Sequence, residues 1–413
     1  MSSSDQRRSA STIKWLAVIG IGEDGAAGLG EAAKRLLTEA EFVFGGGRHL
    51  ELAQELIRGE TRPWPSPFDS SMAEVRALRG RKVSVLASGD PFLHGVGATL
   101  ARVVDPAEMT VIPAPSAFSL ASARLGWPLH DVETVSLHGK SIDLLRPLLH
   151  RGRRVLALTS DGKGPAAIAE LLAENGFGAS RLTILEALGG PDERITIQIA
   201  ENFVASDFNS LNVVAIEVDA GRNARILPLT VGLDDELFEH DGQITKREIR
   251  ALTLSALSPR RGELLWDIGA GSGSVSIEWM LADPSMRAIA IEADGERAAR
   301  IGRNASACGV PMLQIVEGRA PETLASLPQP NAIFIGGGGS DPGVLEAANG
   351  ALPAGGRLVA NAVTLEMEAL LLQLHAELGG DLVRLAVSRA APVGTMMGWR
   401  PAMPITQWKW VKP

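Results

Sequence analysis

The chain has 413 residues, 45% of them hydrophobic and 21% charged, which exceeds one ordinary domain of about 100–200 residues and suffices for two cores. Its 48 acidic against 40 basic residues, a formal charge of -8, argue against a broad nucleic-acid or anionic-membrane surface. A single cysteine, Cys308, excludes an intramolecular disulfide framework and a thiolate-rich metal site, and the lack of any tyrosine excludes a tyrosine general acid.

In chain order, the start "MSSSDQRRSASTIK" lacks the apolar core of a signal peptide, no apolar run approaches a membrane span, and cytoplasm is the expected location. Residues 1–13 are expected to form a disordered tail. From residue 14 to 220, strand-like runs end in glycine or proline turns and lead into helical patterns: "WLAVIGIGEDG", "KVSVLASGDPFLHG", "MTVIPAPSAFSLA", "RVLALTSDGKGP" and "LNVVAIEVD". Continuously apolar strands that alternate with helices predict α/β units with sheets covered on both faces. The helix "GPAAIAELLAENG" closes on Gly176, a C-cap signal. In "ASGDPFLHG" a strand ends in a turn where Gly89 can take an unusual dihedral and Asp90 is held at a loop. Ser116 and Ser119 follow "IPAP" and can cap a helix. His94, His130 and His138 show no metal-ligand spacing, and no metal site is expected. "RPLLHRGRR" reads as a solvated or interlobe helix end rather than a nucleic-acid patch.

Periodicity lapses after Val218, so residues 221–242 are expected to be a linker before a second α/β domain, 243–413. There the helical "TKREIRALTLSALS" leads to the buried strand and glycine loop of "LLWDIGAGSGSVSIE". Its pattern is D-x-G-x-G-x-G, through Asp267, Gly269, Ala270, Gly271 and Gly273, rather than the G-x-G-x-x-G of dinucleotide folds. The next strand, "MRAIAIEAD", ends in Glu292, near the usual separation of about 20 residues for a carboxylate that holds ribose hydroxyls. "LQIVEGRAPE" and "NAIFIGGGG" place Gly318, Ala320 and Gly336 at the carboxyl edge of the same sheet, where doubly wound folds bind ligands. A dehydrogenase-type loop, or a glycine turn without ligand, is the alternative. The insertion "SRAAPVGTMMGWRPAMP" carries Arg389 and Arg400, whose guanidinium forks suit a ligand rich in carboxylates. Trp399, Trp408 and Trp410 are expected to pack a final antiparallel hairpin.

The glycine loop, Glu292 and the later glycine clusters together resemble the class I (Rossmann-like) S-adenosylmethionine methyltransferases. With "GQITKREIRALTLSALSPRRG" and "RLVANAVTLE" beside them, the likeness narrows to the methylases of cobalamin biosynthesis that act on precorrin-6Y or its cobalt counterpart. That likeness implies that Thr245, in "QITK", contacts the cofactor and that Asn361, in "NAVT", lies near the transferred methyl. In the first part, "VIGIGEDG", "VLASGDPFLHG" and "APSAFSLASARLG" are similar to the three signature segments of the tetrapyrrole methylases, a two-lobed α/β fold with S-adenosylmethionine in the cleft. Gly20, Gly22, Gly89, Asp90, Ser116 and Ser119 are the cofactor contacts this implies. The family's usual Gly-Pro-Gly is here Gly22, Glu23 and Asp24.

The expected whole is a bifunctional C-methyltransferase with one S-adenosylmethionine per module. It would methylate a precorrin (precorrin-6B/6Y) at carbons 5 and 15 and remove carbon dioxide from the ring C acetate, with Asn361, Arg389 and Arg400 nearest the chemistry of the second module. The expected partners are this corrinoid precursor and further copies of the chain, not nucleic acid or membrane. A ribosomal-RNA methyltransferase and a non-catalytic S-adenosylmethionine sensor are the other readings.

Overall fold

Nineteen strands form in the computed structural model, which describes residues 14–65 and 70–413; the tail expected over 1–13 lies outside them. The described chain divides into two units, one running to Lys140 and resuming at His150–Arg225, the other comprising Ser141–Leu149 and Ile226–Pro413.

The first unit holds two sheets. One is built from β1 (Leu16–Ile21), β2 (Phe42–Gly45), β3 (Glu60–Pro63), β4 (Val83–Ser88) and β5 (Met109–Ile112), all parallel in the order β3-β2-β4-β1-β5. Every residue of β1 is buried because both faces are covered. Leu16 and Val18 pack with Phe44, Val83 and Val85 on one side, while Ala17, Ile19 and Ile21 pack with Val43 and Leu86 on the other. The second sheet is mixed, from β6 (Glu133–Ser136), β7 (Arg154–Leu158), β8 (Arg181–Glu186), β9 (Arg194–Ile199) and β10 (Asn212–Glu217), in the order β6-β7-β10-β8-β9.

The second unit is a single large sheet with an appended hairpin. Its strands are β11 (Leu264–Ile268), β12 (Arg287–Glu292), β13 (Gln314–Glu317), β14 (Ala332–Ile335), β15 (Arg357–Ala362), β16 (Asp381–Leu385) and β19 (Ile405–Val411), in the order β13-β12-β11-β14-β15-β19-β16. The first five are parallel and β19 is antiparallel to both its neighbours. The order of connection reverses between β11 and β14, so a crevice opens at their carboxyl ends. Leu265, Ala290 and Phe334 face one core; Trp266, Ile268, Ile291 and Ile335 face the other.

Two sequence expectations meet a different structure here. The stretch expected as a linker contributes Leu227, Leu233 and Phe238 to the second unit's core. Of the three tryptophans, Trp408 and Trp410 are buried on β19, but Trp399 lies on a separate hairpin of β17 (Ser388–Val393) and β18 (Met396–Pro401) and is 78% exposed. That hairpin pairs only with itself, so no second sheet layer covers its tryptophan.

Candidate active site

The buried strand β11 delivers a loop whose Gly269, Gly271 and Gly273 all have positive φ, 70°, 60° and 75°. Only glycine takes this run without strain. Close approach adds a second demand, since a Cβ on Gly269 would stand 2.5 Å from the Gly337 carbonyl. The loop is tied to β12. Gly269 and Ala270 donate their N–H groups to the Ile291 carbonyl at 3.0 and 3.1 Å, and Gly271 donates to Glu292 Oε2 at 2.8 Å. Glu292 Oε1 accepts from the Asp294 N–H at 3.1 Å, so the carboxylate is fixed at the strand end.

Around this loop lies a cleft of about 650 Å3. Its wall brings together Thr245, Gly269, Ala270, Gly271, Glu292, Gly318, Ala320, Gly336, Asn361 and Arg389. Three expected residues are absent from the wall, each for a physical reason. Asp267 is buried beneath the loop, where its Oδ2 accepts from the N–H and hydroxyl of Ser276 at 3.1 and 2.7 Å and so fixes the start of the helix Ser274–Leu281. Burial lifts the Asp267 carboxyl to about 6. Gly273 is a packing glycine: a Cβ there would lie 2.7 Å from Ile301. Arg400 sits on β18 opposite Arg389 and is exposed.

Sequence reading missed what supports the wall. Arg250, fully buried, donates to Glu278 at 2.5 Å, to Asp235 at 3.1 Å and to the Thr245 carbonyl at 2.5 Å. Glu278 in turn accepts from the N–H groups of Gly232 and Leu233 at 2.6 and 2.9 Å. A charge pair at the center of the domain thus binds the strap of largely irregular chain over 226–242, the 230s strap, to the core and positions Thr245, a burial that is tolerable because each ion is paired and also hydrogen-bonded to main chain. At the rim, Asp241 accepts from the Gln243 N–H and from Arg297, which hold its carboxyl well below the usual range. Arg389 is paired with Glu248 of the helix Arg247–Leu257.

The first unit has a cleft of its own, about 720 Å3, between its two sheets. Gly22, Gly89, Asp90 and Ser116 line it; Gly20 and Ser119 do not. Gly20 is needed underneath, because a Cβ there would stand 1.9 Å from the Gly89 carbonyl. Ser119 supports Ser116: the Ser116 hydroxyl caps the helix Ala117–Leu125 by accepting the Ser119 N–H at 3.1 Å, and the two hydroxyls lie 2.9 Å apart. Asp90 accepts the Phe92 N–H at 2.8 Å, which sets the turn after Gly89. The cleft also holds residues the sequence did not suggest. Arg48 pairs with Glu23, and His49 Nε2 lies 2.7 Å from the Ser88 hydroxyl. Burial, with Arg48 beside it, pushes the imidazole down to about 4. The signal was available in "GGGRHL", polar residues directly after the glycines that end β2.

Among the described residues no helix is long and apolar enough to cross a membrane, and no group of three or more metal-ligating side chains forms.

Residues 16–202 match the family model for tetrapyrrole (corrin/porphyrin) methylases, and residues 236–412 match that for the precorrin methyltransferase domain. A precorrin-6Y C(5,15)-methyltransferase (decarboxylating) from Sinorhizobium sp is 65% identical over 398 residues, covering 96% of either chain. Two shorter relatives come from Salmonella typhimurium. A cobalt-precorrin-6B C(15)-methyltransferase (decarboxylating) is 36% identical over 181 residues, 42% of this chain and 92% of its own. A cobalt-precorrin-7 C(5)-methyltransferase is 31% identical over 181 residues, 44% of this chain and 88% of its own.

Proposed function

The chain belongs to the decarboxylating precorrin-6Y C(5,15)-methyltransferases of cobalamin biosynthesis, and from that premise we propose that its two clefts are two separate methylation sites, each with its own S-adenosylmethionine. Methyltransferases of this family use that cofactor. The observation that carries the reading is the pairing of one large cleft with each unit, each lined by a glycine loop that side chains would fill.

In the second cleft, Glu292 has both oxygens fixed by main-chain N–H groups, which leaves their remaining lone pairs to accept the two ribose hydroxyls. Gly269, Ala270 and Gly271 let the ligand approach the main chain, with Thr245 across the cleft and Gly318, Ala320 and Gly336 at the other strand ends. Asn361 lies nearest the transferred methyl, and Arg389 meets a substrate carboxylate. In the first cleft, Gly22, Gly89 and Asp90 form one wall, and Ser116, at a helix N-terminus, faces the methionine carboxylate.

S-adenosylmethionine supplies a methyl group already activated by its positive sulfur. The protein's work is therefore to hold an electron-rich carbon in line with it, at about 3–3.5 Å, and to exclude water. The second unit methylates carbon 15 and releases carbon dioxide from the ring C acetate; the electron pair left behind passes into the conjugated ring. Arg389 serves this by holding a carboxylate other than the departing one, since a cation on the departing group would stabilise the ground state. The first unit methylates carbon 5. Two relatives, one for each of these carbons and each matched over 181 residues, about one unit's length, support this division. A cytoplasmic homo-oligomer belongs to the same reading.

Arginine side chains placed in the clefts test it. Gly89→Arg is expected to stop after one methyl is gained and one carbon dioxide lost, Gly271→Arg to leave the acetate in place, and a mixture of the two variants to yield the complete product by mass spectrometry. Decarboxylation that survives Gly271→Arg but not Gly89→Arg would reverse the assignment.

A further inference from the structure

Behind the wall of the second cleft, three side chains from three elements close a ring of hydrogen bonds that the cofactor reading leaves without a task. Asn361, at the end of β15, is half-buried and reaches the cleft wall. Its Nδ2 donates to the Thr253 hydroxyl at 3.0 Å, and its Oδ1 accepts from Gln407 Nε2 at 2.9 Å. Gln407 Nε2 also donates to the Thr253 hydroxyl at 3.1 Å. Thr253 is fully buried on the helix Arg247–Leu257, and Gln407, 5% exposed, is the direct partner of Asn361 across the antiparallel β15 and β19.

We propose that Thr253 and Gln407 are positioning residues for methylation in the second unit: they hold the Asn361 carboxamide so that one oxygen lone pair and one N–H stay uncommitted for the reacting macrocycle. Turning that carboxamide over by itself would set its NH2 group against the NH2 group of Gln407, two donors facing each other. Opposed donors leave both hydrogen bonds unmade, so the orientation is held against thermal flipping.

The chemistry at carbon 15 gives the held oxygen a use. When a carbon conjugated to a pyrrole-type nitrogen attacks the methyl, the nitrogen's electron pair moves toward that carbon. The C–S bond breaks with its pair going to sulfur, and the ring N–H gains positive character. A fixed carboxamide oxygen that accepts this N–H is bound more strongly in the transition state than before it, which raises kcat rather than lowering KM. Neutral amides also suit a site that loses carbon dioxide, because they add no cation to hold the departing carboxylate.

The inference rests on the assignment of the second cleft to carbon 15 and of Asn361 to the reacting edge. Its test uses the full chain with reduced precorrin and S-adenosylmethionine, and calorimetric binding of S-adenosylmethionine by the second cleft, with the first blocked by Gly89→Arg, serves as the folding control. Thr253→Val and Gln407→Leu are each expected to lower kcat for the carbon 15 step by roughly ten- to a hundredfold with KM changed less than about twofold, and Thr253→Ser, which keeps the hydroxyl, to restore the rate. Asn361→Ala separates the two layers of the argument. If it lowers kcat while Thr253→Val and Gln407→Leu run at the wild-type rate, the positioning role is overturned and the assignment of Asn361 stands. If Asn361→Ala itself runs at the wild-type rate, both fall. An effect confined to KM, or a Thr253→Ser variant as slow as Thr253→Val, also overturns the proposal.

Discussion

In the second unit the loop after β11 is tied down by a side chain, Glu292, whose two oxygens accept main-chain N–H groups. In the first unit the end of β1 is crossed by main chain, where Gly89 donates to the Ile21 carbonyl at 3.0 Å and accepts from the Ala114 N–H at 3.2 Å, with the Arg48–Glu23 pair just beyond it. The loop at one strand end thus leans on the Glu292 carboxylate, and that at the other on a close backbone crossing of Gly20 and Gly89. A charge can be weakened in steps. A crossing between Gly20 and Gly89 has no intermediate setting, because a single added carbon would overlap a carbonyl.

Breaking the crossing should therefore have the largest effect. Gly20→Val is expected to destabilise the first unit by at least about 3 kcal/mol, seen as an early unfolding transition while decarboxylation by the second unit persists. A wild-type unfolding profile would show that the two strand ends can part freely. Glu292→Ala should act more moderately, lowering cofactor affinity in the second unit by about 1.5–3 kcal/mol and leaving the first unit's affinity unchanged. Glu292→Gln, which keeps one acceptor oxygen, should fall between. Equal affinities for all three chains by calorimetry would remove Glu292 from the site.

Asp267 sharpens the comparison through pH. Below about pH 4 its carboxyl is protonated in both the folded and the unfolded chain. As pH rises toward the folded value of about 6, the unfolded chain ionises freely while the folded one resists. The stability that the neutral acid contributes is lost over that window. Wild type measured against Asp267→Asn by denaturant unfolding should thus lose stability from about pH 4 to about pH 6 and level off above. A difference that stays constant across the window would mean the carboxyl ionises as readily in the fold as in water. The smallest effect is expected at the rim. Glu248→Gln frees Arg389 from a half-exposed ion pair, so substrate KM should fall less than about fivefold, the range of an exposed pair; a rise in KM would show that Glu248 itself binds substrate.

The charged anchor was readable before the structure and the crossing only in part, and the reason is physical. Glu292 announces itself by its spacing after a glycine loop, because the strand and helix between them have fixed lengths. Gly20 and Gly89 could be singled out only by likeness to known segments; nothing in their spacing shows that one crosses the other. The support beneath the second cleft was harder still. Arg250 and Glu278 lie on two helices where charged residues ordinarily face water, yet both are buried because each satisfies the other and the 230s strap. That strap has no period to detect. Leu227, Leu233 and Phe238 reach the core from largely irregular chain, where Glu278 meets the N–H groups of Gly232 and Leu233 and a single short turn meets that of Phe238.

Two sites built by different means should count as two. Calorimetric titration of S-adenosylmethionine into the full chain is expected to give two molecules bound per chain, falling to one in Gly89→Arg and to one in Gly271→Arg, with the remaining site keeping its wild-type affinity in each. A single molecule per wild-type chain, or the loss of both from either substitution, would contradict the existence of two independent cofactor clefts.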